Sequence, residues 1–174
     1  MSTTALSPAA CRYERHQATT PRWATLRLLG HAEFPATPTA VATARQWIRD
    51  LLTGRTSAPT LDDAILLLSE IMTNAVIHSD SGRTPNGSVM ICIGTDIGTG
   101  ADGNTGKLHL EVIDDGSATN IPFIRAADTD SDGGRGLLLV DLIATDWGTH
   151  HDHETGNAVW FHLTDHAPGH HHPR

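Results

Sequence analysis

The sequence predicts an α+β domain of two layers, with helices on one face of a mainly antiparallel sheet. Three observations carry that reading. From Leu61 to His78, Leu, Ile, Met, Val and Ala recur at three- and four-residue steps, as in a helix packed along one face. From Lys107 to Asp114 apolar and polar residues alternate, the period of a half-buried strand. The order of elements is a strand, two helices, two strands, a loop, a short helix and two more strands, which groups the helices on one side.

Taken in order, residues 1 to about 20 are rich in Ser, Thr, Ala and Pro without periodicity and are expected to be a disordered tail. Trp23 to Gly30 is expected to be a first strand that stops at its glycine. Thr37 can cap a helix whose first turn takes Pro38, with Val41, Ala44, Trp47, Ile48 and Leu51 at helical spacing and Gly54 closing it. Thr60, Asp62 and Asp63 start the next helix near Leu61. Ser88 to Gly94 and Lys107 to Asp114 have strand composition, and the Gly- and Asp-rich stretch from Thr95 to Gly106 suits a long hairpin connection. Residues 115–135 show no periodic element, and a loop of that length inside a small domain is most often functional, such as a lid. Gly136 to Ala144 reads as a short helix. Two closing strands lie near Asp146–Gly148 and Ala158–Leu163, joined by a polar link from His150 to Asn157. Residues 166–174 are expected to be a disordered, His-rich tail, which leaves one domain over 21–165.

A chain of 174 residues is the size of one domain with one core. The formal charge of -8 argues against direct attraction to a nucleic-acid backbone, which needs clustered positive charge. No apolar run approaches the roughly 18 needed to span a bilayer, and the start lacks a signal-peptide layout, so the expected location is the cytoplasm. Two cysteines, Cys11 and Cys92, are too few for a disulfide framework or a zinc site. His150, His151 and His153, with Asp152 and Glu154, are read as solvated hairpin residues rather than a metal site, and His170 to His172 as tail.

Three stretches hold the chemistry. Glu70 and Asn74 lie four apart in the 61–78 helix, so both project from one side of it. A carboxylate and a carboxamide beside an apolar face need a partner such as an ion, a water or a phosphate. Asp114 ends a strand and Gly116 follows, a pairing that lets a carboxylate accept from an exocyclic amine while a flat ring approaches the main chain, as adenine would. Gly133-Gly134-Arg135-Gly136 opens a helix, where exposed N–H groups and the helix dipole favour an anion such as phosphate. Read singly, each has an ordinary alternative: a wet helix edge, a turn, a flexible linker.

In order and spacing these stretches, over about residues 23 to 164, resemble the nucleotide-binding GHKL (HATPase) superfamily. Within it the chain looks like the small bacterial anti-sigma regulatory factors, serine/threonine protein kinases of the RsbW-like type. Glu70-x-x-x-Asn74-Ala75 is similar to the family's N box, Asp114-x-Gly116 to its G1 box, and Gly134-Arg135-Gly136-Leu137 to its G2 box. Trp147-Gly148 and Val159-Trp160-Phe161 fit its closing strands. The resemblance implies a Bergerat-type sandwich that holds ATP between the helix layer and a lid. It implies Asn74 as a Mg²⁺ ligand, Glu70 as the residue that orients or deprotonates the attacking hydroxyl, and Asp114 as the ligand of the adenine amine. Gly116, Gly134 and Gly136 would give backbone room, with Leu137 completing the last box. His78, a turn beyond Asn74, would reach the phosphate side or act as a helix C-cap, and Arg135 would touch the terminal phosphate or lie solvated in the lid.

The activity so implied is ATP- and Mg²⁺-dependent phosphorylation of a serine or threonine on a STAS-domain anti-sigma factor antagonist, with a sigma factor as the competing partner and a homodimer through the first strand and helix region. Phosphoryl transfer asks mostly for positioning and charge neutralisation, which this set can supply. Two rivals follow from the same pocket: a non-catalytic, nucleotide-gated regulatory binding module, and, more weakly, a histidine-kinase catalytic fragment. The chain departs from the pattern at Ala118, where the wider superfamily has glycine, and at Ala158, expected to replace a threonine that contacts the base through water.

Overall fold

A computed structural model describes Glu14, His16, Ala18 and residues 21–96, 106–116, 135–152 and 156–165. The 97–105 connection, all of residues 117–134 with Ala118 and Gly134, residues 153–155 with His153 and Glu154, and the 166–174 tail therefore lie outside the described residues. Among the described residues a five-stranded sheet is formed by β1 (Leu26–Pro35), β2 (Ser88–Asp96), β3 (Lys107–Asp114), β4 (Asp146–Asp152) and β5 (Gly156–Thr164). The strand order is β1-β2-β3-β5-β4, and every neighbouring pair is antiparallel. Helices α1 (Ala40–Leu52), α2 (Ala58–His78) and α3 (Arg135–Ile143) form the second layer. The expected α+β sandwich is the observed one.

Strand alternation sorts β3 cleanly between two environments. Leu108, Leu110 and Val112 join the main core under the helices, with Ile48, Leu52, Leu67, Leu68 and Met72. Each fully buried side chain of this kind contributes about 1.5–3 kcal/mol relative to exposure. Ile113, together with Trp23, Met90, Cys92 and Ala158, forms a smaller cluster on the opposite face of the sheet.

Element ends differ from expectation for local reasons. Trp23 lies in a 3-10 turn (Pro21–Thr25) and not in a strand, since its indole is buried on the outer face and donates to Glu111 at 2.7 Å. β1 starts at Leu26 and runs past Gly30, the irregularity being absorbed as a register break between Leu28 and Gly30. α1 begins at Ala40 after Thr39, because Thr37 and Pro38 make a turn whose carbonyls accept the Ala40 and Val41 amides. α2 starts at Ala58, with extended Ser57 before it and Pro59 in the first turn. His150 and His151 are not in a loop: they extend β4, paired with Ala158 and Asn157.

The outer face is not a wet one. Glu111 and His109, which alternate with the core residues of β3, are fully buried there. Glu111 accepts from Trp23, lies 2.9 Å from His16 Nε2 and 3.4 Å from His109 Nε2. His109 Nδ1 is 2.9 Å from His162 Nε2. Burial pushes the Glu111 carboxyl up, but hydrogen bonds from His109 and His16 and their positive charge outweigh it, holding the group down at about 2. His16 belongs to the stretch expected to be disordered; it is helical and buried, as its pairing with Glu111 requires.

Candidate functional site

α2 carries Glu70 and Asn74, both half-buried, one turn apart along the helix, and His78 exposed at its last turn. The helix stops where Ser79 turns to extended backbone. The Ser79 hydroxyl donates to the Ala75 carbonyl at 2.6 Å and accepts the Ser81 amide at 3.2 Å, closing the helix end and starting a 3-10 turn (Asp80–Gly82). That turn is what reaches the sheet. The Asp80 amide donates to the Gly116 carbonyl at 2.7 Å. Ser81 donates to Asp115 Oδ2 at 2.9 Å and accepts the Asp115 amide at 2.8 Å.

Asp114, the last residue of β3, alternates with Ile113 on the outer face and so points to the helix side. It is 6% exposed, and its Oδ1 accepts the Gly116 amide at 2.6 Å. A carboxylate has room for about four hydrogen bonds, so this contact leaves capacity for a ligand amine. Gly116 has φ +75°, a left-handed conformation that a side chain would strain. A Cβ on it would sit 3.4 Å from the Asn157 side chain, so glycine also lets the turn close on Asn157. Asn157 faces Asp114 across the β3–β5 pair, is buried, and bonds His151 through its Oδ1.

α3 packs on α2 from its other side, with Leu137 half-buried against the main core and Val140 fully buried. Arg135 and Gly136 open this helix. The structure thus joins the C-terminal end of α2 directly to the 114–116 turn and lays the helix of the third stretch against α2.

Three residues of this region were not legible beforehand: Ser81, Asp115 and Asn157. The Ala158 departure loses its expected consequence. Ala158 lies on the outer face, away from the helix side, and Asn157 is the residue beside Asp114.

The residues present fit an adenine nucleotide with Mg²⁺ in chemistry. A buried carboxylate at a strand end beside an open glycine suits an exocyclic amine. Mg²⁺ in nucleotide sites is held by one or two side chains plus phosphate oxygens, for which a half-buried carboxamide is sufficient. Among the described residues no group of three His, Cys, Asp or Glu is placed to hold a metal ion. No helix among the described residues is long and apolar enough to cross a membrane.

Residues 34–163 match the sequence model of the histidine kinase-like ATPase domain. Among solved structures, the crystal structure of the RsbU and RsbW domains of Rv1364c from Mycobacterium tuberculosis is similar, at TM-score 0.52 and 20% identity. The match covers 78% of this chain and 31% of that one, so this chain spans about a third of the larger protein. At that identity the likeness speaks for the fold. A comparison with curated protein sequences gives no match.

Proposed function

The chain belongs to the histidine kinase-like ATPase domain family, and on that premise we propose that it is an ATP- and Mg²⁺-dependent protein serine/threonine kinase of the anti-sigma type. The observation that carries the proposal is the direct hydrogen bonding of the α2 end to the Asp114–Gly116 turn. It supports the reading because it ties the end of the helix that carries Glu70 and Asn74 to the turn that follows Asp114. The anti-sigma part of the proposal rests on the order of the three sequence stretches, and the likeness in fold to a structure containing an RsbW domain is in keeping with it.

In this reading Asp114 accepts the adenine amine, and Gly116 gives the ring access to the main chain. Asn74 is the protein ligand of the metal, and His78, exposed at the last turn of α2, is on the phosphate side. Arg135, Gly136 and Leu137, at the opening of α3, and Gly134, next before them in sequence, would serve the phosphate end. Bound MgATP supplies the phosphoryl group and most of the charge neutralisation. Glu70, one turn before Asn74, orients the acceptor hydroxyl and takes its proton. The acceptor is a serine or threonine of a STAS-domain antagonist, and a sigma factor is the partner that competes for the kinase.

The test is incubation of the chain with labelled ATP, Mg²⁺ and candidate STAS-domain proteins. Label on a serine or threonine, lost in Glu70→Gln and in Asn74→Ala, is the expected result. Nucleotide-dependent binding of the partner without label transfer supports a non-catalytic regulatory module instead. Failure of any adenine nucleotide to raise the melting temperature overturns the nucleotide reading.

A further inference from the structure

We propose that Ser81 and Asp115 form a positioning pair that sets the base-binding end of the pocket against its metal-binding end. The inference rests on the nucleotide reading above. α2 and β3 belong to different layers, and the packing between them is apolar, which fixes their separation better than their relative orientation. What adds direction is a chain of hydrogen bonds. It runs from the Ala75 carbonyl, next to Asn74, through the Ser79 hydroxyl to the Ser81 amide, and from the Ser81 hydroxyl to Asp115. The Asp80 amide and Gly116 carbonyl close the far side at 2.7 Å.

The chemistry of the pair is specific. Ser81 is 1% exposed, and its hydroxyl both donates to the Asp115 carboxylate and accepts the Asp115 amide. A hydroxyl has one donor and two acceptor sites, so a single side chain can hold both groups at once. Asp115 itself is exposed, yet its carboxylate is turned inward to the buried serine. Helix termination alone does not call for this, because the Ser79 side chain already closes the α2 end. The two bonds fix the backbone between Asp114 and Gly116, the two residues that meet the base. Moving that turn by a fraction of an ångström changes the span from base to metal without changing either end, which a ligand bridging both ends feels most.

The full chain, with Ser81→Ala, Asp115→Ala and Asp115→Asn, is titrated calorimetrically with adenosine, which engages only the base end, and with MgATP, which engages both. Ser81→Ala and Asp115→Ala are expected to weaken MgATP about tenfold and adenosine less than about threefold. Asp115→Asn keeps an acceptor oxygen for the Ser81 hydroxyl and is expected to return MgATP affinity to within about threefold of wild type. In the ligand-free protein, exchange of the Asp80 and Asp115 amide hydrogens is expected to quicken in Ser81→Ala. Asp115 is exposed, so Asp115→Ala keeps the test decisive if Ser81→Ala does not fold. Equal weakening of both ligands, or unchanged MgATP affinity in folded variants, overturns the inference while leaving the nucleotide reading standing. A wild-type chain that binds neither ligand removes both.

Discussion

Acidification is expected to destabilise the wild-type protein by roughly 3 kcal/mol more than it destabilises Glu111→Gln. The magnitude comes from the outer face of the sheet. Burial alone would raise the Glu111 carboxyl, but hydrogen bonds from His109 and His16 and their charge hold it at about 2, against 4.5 in the unfolded chain. At about 1.4 kcal/mol for each tenfold change in proton affinity, that fall is worth roughly 3 kcal/mol. The folded value is the lower one, so the stabilisation is fully present above about 4.5 and is lost as the pH falls from there through about 2. Many of the 20 acidic residues titrate in the same window, so the observable is the difference between the two proteins. Urea unfolding at a series of pH values between about 5 and about 2 measures it. At neutral pH the variant should be the less stable by roughly 3 kcal/mol, because His16 and Trp23 would face a neutral amide in a site built for a carboxylate. As the pH falls the two stabilities should converge. Parallel curves across the window would refute the assignment of the buried network as a charged one.

Other perturbations probe the two faces separately. Trp23→Phe removes the 2.7 Å bond to the Glu111 carboxylate and should cost about 1.5–3 kcal/mol in urea unfolding at neutral pH, with nucleotide affinity unchanged. Gly156→Ala places a Cβ 1.9 Å from the Asp114 carbonyl oxygen at a residue with φ +93°, so it should cost at least about 2 kcal/mol and also weaken adenosine binding by displacing Asp114. Thermal unfolding with and without adenosine reads both effects. Asn74→Ala should lower the melting-temperature shift given by ATP with Mg²⁺ to that given by ATP with a chelator, a loss of about tenfold or more in affinity.

The helix side of this protein was legible because period and chemistry agreed there. α2 shows its buried face through Ala64, Leu67, Leu68, Ile71, Met72 and Ala75, and the polar interruptions at Glu70 and Asn74 stand out against it. Asp114 was legible because β3 ends in it and Gly116 follows. Ser81 and Asp115 were not, since a serine after a helix and an aspartate in a turn are what any loop contains, and only the tertiary approach of the two turns gives them partners. The faces of β5 were not legible either, because Val159, Trp160 and Phe161 give that strand no apolar–polar alternation. In a strand one position is the whole difference between faces: Ala158 lies in the outer cluster and Asn157 is paired with Asp114.

The outer face explains the largest departure. In β3 the residues alternating with Leu108, Leu110 and Val112 are His109 and Glu111, which by pattern belong in water. Here both are at 0% exposure, covered by Trp23, from the turn before β1, and by His16, from a stretch whose composition reads as unstructured. Composition cannot register this, because the cover is one indole and one imidazole, each matched to the same carboxylate, and not a periodic apolar face. A buried carboxylate without those partners would be costly, so the burial of His16 and the ionisation of Glu111 are linked. Removing residues 1–20 should therefore do more than trim an end. It should strip the His16 imidazole from Glu111 while leaving the Trp23 bond, raise the carboxyl part of the way toward an ordinary value and flatten the acid limb of the stability curve in the direction of Glu111→Gln. A truncated chain that keeps the wild-type acid limb would break that link between the segment and the charge.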